Sequence, residues 1–214
     1  MYLFIVKIVL YYAQGVGIMV FYDISRDILT TPPYGEDPKS VVNTIESIED
    51  GDACNVSQIT MCTHNATHID APKHFDDDGA TVGELRLSHF YGKCTVVTID
   101  GILTGEDMEE LLPHCKKRVI LHGSGNAYLS SSAAQVIAES SLVLIGTDAV
   151  SIAPPFDEMR PHLELARAGK IVLENLKLDG VKDGEYILCA FPLKLSTLEA
   201  SPCRAVLIDE GKGL

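Results

Sequence analysis

The chain has 214 residues, enough for one domain with a sizeable core of its own. Hydrophobic residues make up 46% and charged residues 22%, which excludes a disordered, collagenous or coiled-coil chain. The 17 basic residues face 30 acidic ones, a formal net charge of −13, so an extended phosphate-binding surface is excluded and no nucleic-acid partner is expected.

Residues 1–20 read MYLFIVKIVLYYAQGVGIMV and are almost entirely apolar. Lys7 and Gln14 interrupt the run, Gly15 and Gly17 break a helix, and no charged stretch leads it. A clean spanning helix wants about 20 apolar residues. Residues 1–18 therefore read as an appendage, such as an upstream start codon would add, to a single domain over 19–214. The alternatives are a true first strand or an anchor, and no membrane partner is expected. Val20–Ser25 predicts a strand, and the loop after it holds Pro32, Pro33, Tyr34 and Gly35. Residues 38–70 mix short strand-like runs with polar residues.

The centre has a clearer pattern. Cys94–Asp100 is β-branched and apolar, a buried strand. Thr104–Leu112 predicts a helix, with Thr104 as cap and Asp107 as its partner three residues on. Arg118–Leu121 is a second strand, Ser130–Glu139 a second helix and Leu142–Thr147 a third strand. Pro154, Pro155 and Pro161 mark a loop. His162–Ala168 predicts a short helix closed by Gly169. Lys170–Leu173 and Arg204–Asp209 predict the remaining strands. Alternation of strand and helix over 94–176 argues for an α/β fold, a mixed sheet with flanking helices. Six cysteines stand at 54, 62, 94, 115, 189 and 203 with no CxxC pair. They read as reduced thiols of a cytoplasmic protein.

Three of the seven histidines fall within the eleven residues from His64 to His74. His64 and His68 are four apart, and Asp70 follows two further on. Imidazole nitrogen with carboxylate oxygen suits zinc, manganese or iron(II). Ala71-Pro72 stops a helix from continuing past Asp70. If 68–70 is extended, His68 and Asp70 share one face and His64 comes from the preceding turn.

The string His64-Asn65-Ala66-Thr67-His68-Ile69-Asp70-Ala71-Pro72-Lys73-His74 resembles the signature His-x-Gly-Thr-His-x-Asp-x-Pro-x-His. That signature belongs to the cyclase family of metal-dependent hydrolases, whose members include bacterial kynurenine formamidase and isatin hydrolase. Ala66 stands where the family usually has Gly. Tyr22-Asp23-Ile24-Ser25, Gly146-Thr147-Asp148-Ala149-Val150-Ser151, His162 with Glu174-Asn175-Leu176, Pro192-Leu193 and Arg204-Ala205 resemble further family segments in order.

The resemblance implies a swivelling β/β/α fold and one or two divalent ions, zinc or manganese. It implies that His64, His68 and Asp70 hold the first ion, with Asp70 able to bridge. His162 and Glu174 would complete a second position, and His74 would be the catalytic acid–base. Taken alone, Glu174 reads as an ion-pair partner and His162 as a helix-start histidine. The implied activity is hydrolysis of a non-peptide amide or cyclic amide of a small-molecule substrate, N-formylkynurenine among the candidates, by a homodimer or larger homo-oligomer. The alternatives are a cyclase or lactonase of the same family and a non-catalytic metal-binding protein.

Other motifs read as ordinary. Gly123-Ser124-Gly125 lacks the flanking glycines of a nucleophile elbow. Asp76-Asp77-Asp78-Gly79 lacks the alternation of a calcium loop. Cys62 reads as structural, and His89, His114 and His122 lack ligand-spaced partners. Phe21, Tyr34, Phe75, Phe90 and Phe156 are unranked candidates for the substrate pocket.

Overall fold

A computed structural model describes residues 18–211. The apolar segment 1–18 lies outside these residues except for Ile18. In chain order the strands are β1 Val20–Asp23, β2 Val41–Glu46, β3 Val56–Thr60, β4 His68–Asp70, β5 Tyr91–Thr98, β6 Gly101–Leu103, β7 Arg118–His122 and β8 Ala127–Leu129. They continue as β9 Leu144–Thr147, β10 Ile171–Glu174, β11 Gly184–Cys189, β12 Ala200–Pro202 and β13 Val206–Asp209. Three α-helices intervene: α1 Gly105–Leu111, α2 Ser131–Glu139 and α3 Met159–Arg167.

Nine strands form one mixed sheet in the order β1-β13-β11-β5-β7-β9-β10-β4-β12. The centre β5-β7-β9-β10 is parallel, and every pairing outside it is antiparallel. Parallel strands need crossovers, and α1, α2 and α3 supply them. Because side chains alternate, the central strands feed two cores. Val119, Leu121, Ile145 and Val172 pack under Met108, Ala133, Ile137 and Leu165 of the helices. Ile120, Leu144, Ile171 and Leu173 face the other way, onto Ile69, Phe90, Leu188 and Leu207 from the outer parts of the curled sheet.

Local chemistry explains most boundaries. Thr104 accepts from the Asp107 N–H at 3.3 Å, and the Asp107 carboxylate accepts from the Thr104 N–H at 2.7 Å, the reciprocal box expected from sequence. Ser130 caps α2 by accepting from the Ala133 N–H at 3.2 Å. Helix α3 begins at Met159, three residues before the expected start. Pro161 falls in its first turn, where the missing N–H would have no intrahelical partner. Strand β11, Gly-Glu-Tyr-Ile-Leu-Cys, escaped the sequence reading, although Tyr186 and Leu188 alternate into the core. The hairpin β2–β3 stands apart, with every strand position exposed, including Val41, Val42, Ile45, Val56 and Ile59.

Candidate metal centre

The three-residue strand β4 carries the signature. Ile69 is fully buried in the curled core, so His68 and Asp70 point together to the helix side, as alternation requires. Strand β10 lies beside β4 with Glu174 directly opposite His68 and Val172 opposite Asp70. Helix α3 crosses the same side and delivers His162. His64 comes from the turn before β4, closed by the Asn65 N–H on the Cys62 carbonyl at 3.2 Å. His74 ends the one-turn 3-10 helix Pro72–His74 that Pro72 starts. All six residues expected to carry the site are thus brought together.

The distances are short. His64 Nδ1 lies 3.0 Å and His68 Nε2 3.3 Å from Asp70 Oδ1. His68 Nε2 is 3.5 Å from Glu174 Oε2, and His162 Nε2 is 3.2 Å from Glu174 Oε1. The His64 and His74 ring centroids are 4.0 Å apart. Two sets of donor atoms could each hold an ion: His64, Asp70 and His74, and His68, Asp70 and Glu174. Asp70 is common to both. The first set contains His74, which the resemblance makes a non-ligand.

Backbone carbonyls fix the deep imidazoles. His68 Nδ1 bonds to the Ala66 carbonyl at 2.9 Å and His162 Nδ1 to the Glu158 carbonyl at 2.8 Å. Each Nδ1–H is thereby spoken for, and Nε2 is left facing the carboxylates. Asp70 Oδ1 and Oδ2 and His68 Nε2 are buried and make no well-formed hydrogen bond. Buried polar atoms normally find a partner. Three such atoms converging, with only nitrogen and oxygen donors, fit a divalent cation.

The ionisation states agree. Burial works against charge on His68, yet Asp70 and Glu174 outweigh it and push the imidazole up to about 9. Burial likewise opposes charge on His162, and Glu174 pushes it up to about 9. Burial would raise the Asp70 carboxyl, but His68 and His64 hold it well below the usual range. Protons here take the place that a cation would fill. His74 goes the other way: burial, then the neighbouring His64 and His162, lower its pKa although Asp70 and Glu174 oppose them.

Two features were missed in the sequence. Glu199, next to β12, lies 3.4 Å from His64 Nε2 and accepts the Thr63 hydroxyl at 2.6 Å. Nothing local marks it, because it stands 135 residues after His64 in the chain. Thr67 accepts the Arg26 N–H at 2.9 Å and donates to the Asn175 carbonyl at 2.7 Å, tying the loop after β1 to the end of β10. Ala66, in the family's glycine position, has φ +56 and so keeps the left-handed turn. Glu174 also accepts the Ile152 N–H at 2.6 Å from the loop after β9.

A cavity of about 780 Å³ opens onto His64, His68, His74, His162 and Glu174. Tyr34 and Phe75 line it, and Phe75 stacks on His162 with centroids 4.4 Å apart. Phe90 is a core residue, Phe156 is exposed, and neither they nor Phe21 line the cavity. Gly125, Asp148 and Cys62 do, whereas His89, His114 and His122 do not. Asp148 accepts the Gly123 N–H at 3.0 Å, so the Gly123–Gly125 turn is a structural one with Ser124 at φ +53. The Asp76–Gly79 turn is tied down by Lys73, whose ammonium meets Asp77 at 3.0 Å.

An α/β scaffold with histidines and carboxylates converging at a cavity fits a metal-dependent hydrolase. The family model for cyclases matches residues 22–154, more than half of the chain, which belongs to the cyclase family. The kynurenine formamidase of Bacillus anthracis is 34% identical over 197 residues, covering 86% of this chain and 93% of its own. That of Delftia acidovorans is 37% identical over 174 residues, covering 75% and 83%. Among solved structures, one described as a predicted metal-dependent hydrolase from Bacillus stearothermophilus superposes with a TM-score of 0.76 at 27% identity, covering 90% of this chain and 100% of that one. Isatin hydrolase A from Labrenzia aggregata shares the fold, with a TM-score of 0.74 at 21% identity, covering 90% and 94%. No helix among the described residues is long and apolar enough to cross a membrane.

Proposed function

We propose that this chain hydrolyses the C–N bond of a small arylformamide or cyclic amide, N-formylkynurenine being the leading candidate, at a zinc or manganese centre. The observation that carries this reading is the convergence of Asp70 Oδ1, Asp70 Oδ2 and His68 Nε2, buried and without well-formed hydrogen bonds, beneath an aromatic-walled cavity that His68 lines. The kynurenine formamidases at 34% and 37% identity support the substrate class.

His64, His68 and Asp70 would hold one ion, and His162 and Glu174, with Asp70 shared, would hold a second where two are bound. A bound ion supplies Lewis acidity, acidifying water from a pKa of about 15.7 toward 7 and polarising the amide carbonyl. The chain's own residues do the rest. The Ala66 and Glu158 carbonyls hold His68 and His162 with Nε2 forward. Glu199 orients His64 from behind. His74, held below the usual imidazole range, is neutral at pH 7 and accepts the water proton at a ring nitrogen. It returns that proton to the leaving nitrogen as the C–N bond breaks, and the water oxygen stays on the carbonyl carbon. Phe75 and Tyr34 wall the substrate from bulk water.

Residues 19–214 form the single hydrolase domain in this reading, and the protein works in the cytoplasm. It assembles as a homodimer or larger homo-oligomer, for which the exposed Val41, Val42, Ile45, Val56 and Ile59 of the hairpin β2–β3 offer a surface. Incubation of the zinc- or manganese-loaded chain with N-formylkynurenine and with isatin tests the activity. Turnover of either, abolished by chelator and restored by metal, supports the reading. Metal-loaded protein inert on both and on a wider panel of amides, lactams and lactones favours the non-catalytic alternative.

A further inference from the structure

The cavity beside the centre contains one Lys or Arg among the described residues that line it, Arg26. Its Nε is buried and has no hydrogen-bond partner. Its guanidinium makes no ion pair with any described residue. The acids in the same wall are all engaged. Glu158 accepts the Tyr34 hydroxyl at 2.8 Å, and Asp148 accepts the Gly123 N–H at 3.0 Å. Glu174 accepts the Ile152 N–H at 2.6 Å, and Asp37 faces the Cys62 thiol at 3.6 Å. These acids keep their charge but are turned to other donors, so Arg26 is left without a carboxylate partner among the described residues.

Its backbone is anchored to the site. The backbone N–H of Arg26 is held by Thr67 Oγ1, one residue before His68, and Thr67 in turn donates to the Asn175 carbonyl, one residue after Glu174. A planar fork of donors in the wall of the cavity that opens onto the site, with no protein acceptor, suits a ligand carboxylate. A dianionic phosphate would meet the four wall carboxylates, so a monoanion is favoured. Pro32, Pro33, Tyr34 and Phe75 provide the apolar wall that an aromatic body needs.

We propose that Arg26 is the specificity residue of this site and selects amides whose aromatic body carries one carboxylate over their neutral counterparts. This rests on the amide-hydrolase reading, but it is separable by experiment. N-formylkynurenine, a zwitterion at pH 7, and its carboxamide share the ring, the formyl amide and the α-ammonium and differ at the carboxylate. The metal-loaded full chain should prefer the acid, and Arg26→Gln should raise KM for the acid by about tenfold or more, so that the two kcat/KM values approach each other. Arg26→Lys should recover part of the preference, since it keeps the charge without the fork. A defect that lowers both substrates alike, leaving the ratio intact, overturns the proposal. Calorimetric titration with benzoate and benzamide reads the same site without turnover. Benzoate should bind wild type about tenfold more tightly than Arg26→Gln, with benzamide indifferent to the change. Equal benzoate affinity in the two proteins overturns the anion site even if turnover is seen. Loss of turnover on both amides, with the benzoate difference intact, overturns the hydrolase reading and leaves the anion site standing.

Discussion

His68 and Glu174 stand directly opposite one another in the β4–β10 register, with Nε2 of one 3.5 Å from Oε2 of the other. They are 106 residues apart in the chain. Cross-strand pairs on one face lie about 5 Å apart at Cβ, so an imidazole and a carboxylate there must meet. Antiparallel insertion of β4 beside the parallel core thus places a signature histidine against a carboxylate from a distant strand.

Glu174→Gln tests that pairing. The amide keeps the shape and can still accept the Ile152 N–H, but it removes the negative charge between His68 and His162. Metal affinity should fall by at least about tenfold while the fold persists. Competition titration against a chromogenic chelator, with circular dichroism as control, gives the answer. Unchanged affinity would remove Glu174 from the ligand set.

Ala66→Gly should stabilise the protein. Ala66 sits at φ +56, where a Cβ costs about 1–2 kcal/mol, while the added flexibility of glycine gives back about 0.5–1 kcal/mol. The expected net gain is about 0 to 1.5 kcal/mol, a rise in Tm of about 2–4 °C per kcal/mol for a domain of this size. Thermal unfolding followed by circular dichroism decides it, and a fall in Tm would contradict the strain.

The Asp23–Arg204 pair makes a small pH-dependent contribution. Arg204 Nε and Nη2 donate to the two Asp23 oxygens at 2.8 and 2.5 Å, joining the end of β1 to the residues before β13. Burial opposes ionisation, but Arg204 and the Ser25 N–H lower the Asp23 pKa overall. A lowered carboxylate pKa stabilises the fold above the unfolded value of about 3.9, and that stability is lost as pH falls through the folded value. Both side chains are largely exposed, so the pair contributes less than about 1 kcal/mol. Asp23→Asn should therefore be slightly less stable than wild type at pH 7 in urea unfolding, with the difference shrinking as pH falls below about 4. A difference that grows toward low pH would refute this.

What could be read in the sequence follows the range of the interactions. The Thr104–Asp107 box and the shared face of His68 and Asp70 depend on neighbours within three residues, and both formed as expected. The roles of His162 and Glu174 came only from the family resemblance, because no local rule links them to β4 across about a hundred residues. Glu199 lacked even that signal. Of the five aromatic candidates, Tyr34 and Phe75 line the cavity and Phe90 fills the core, a sorting that tertiary packing alone determines. The start of α3 was misplaced because Pro161 was read as a breaker, although a first-turn proline leaves the helix ladder intact.

The central claim is a metal centre in which His68 is a ligand and His74 moves protons. Elemental mass spectrometry on purified wild type, His68→Ala and His74→Ala, paired with turnover of N-formylkynurenine, tests it most directly. Wild type should hold zinc or manganese, and His68→Ala should lose it. His74→Ala should retain metal with turnover reduced by about a hundredfold or more. Metal lost from His74→Ala would make His74 a ligand of the set it forms with His64 and Asp70. Wild type that neither holds metal nor takes it up from added zinc or manganese would contradict the centre itself.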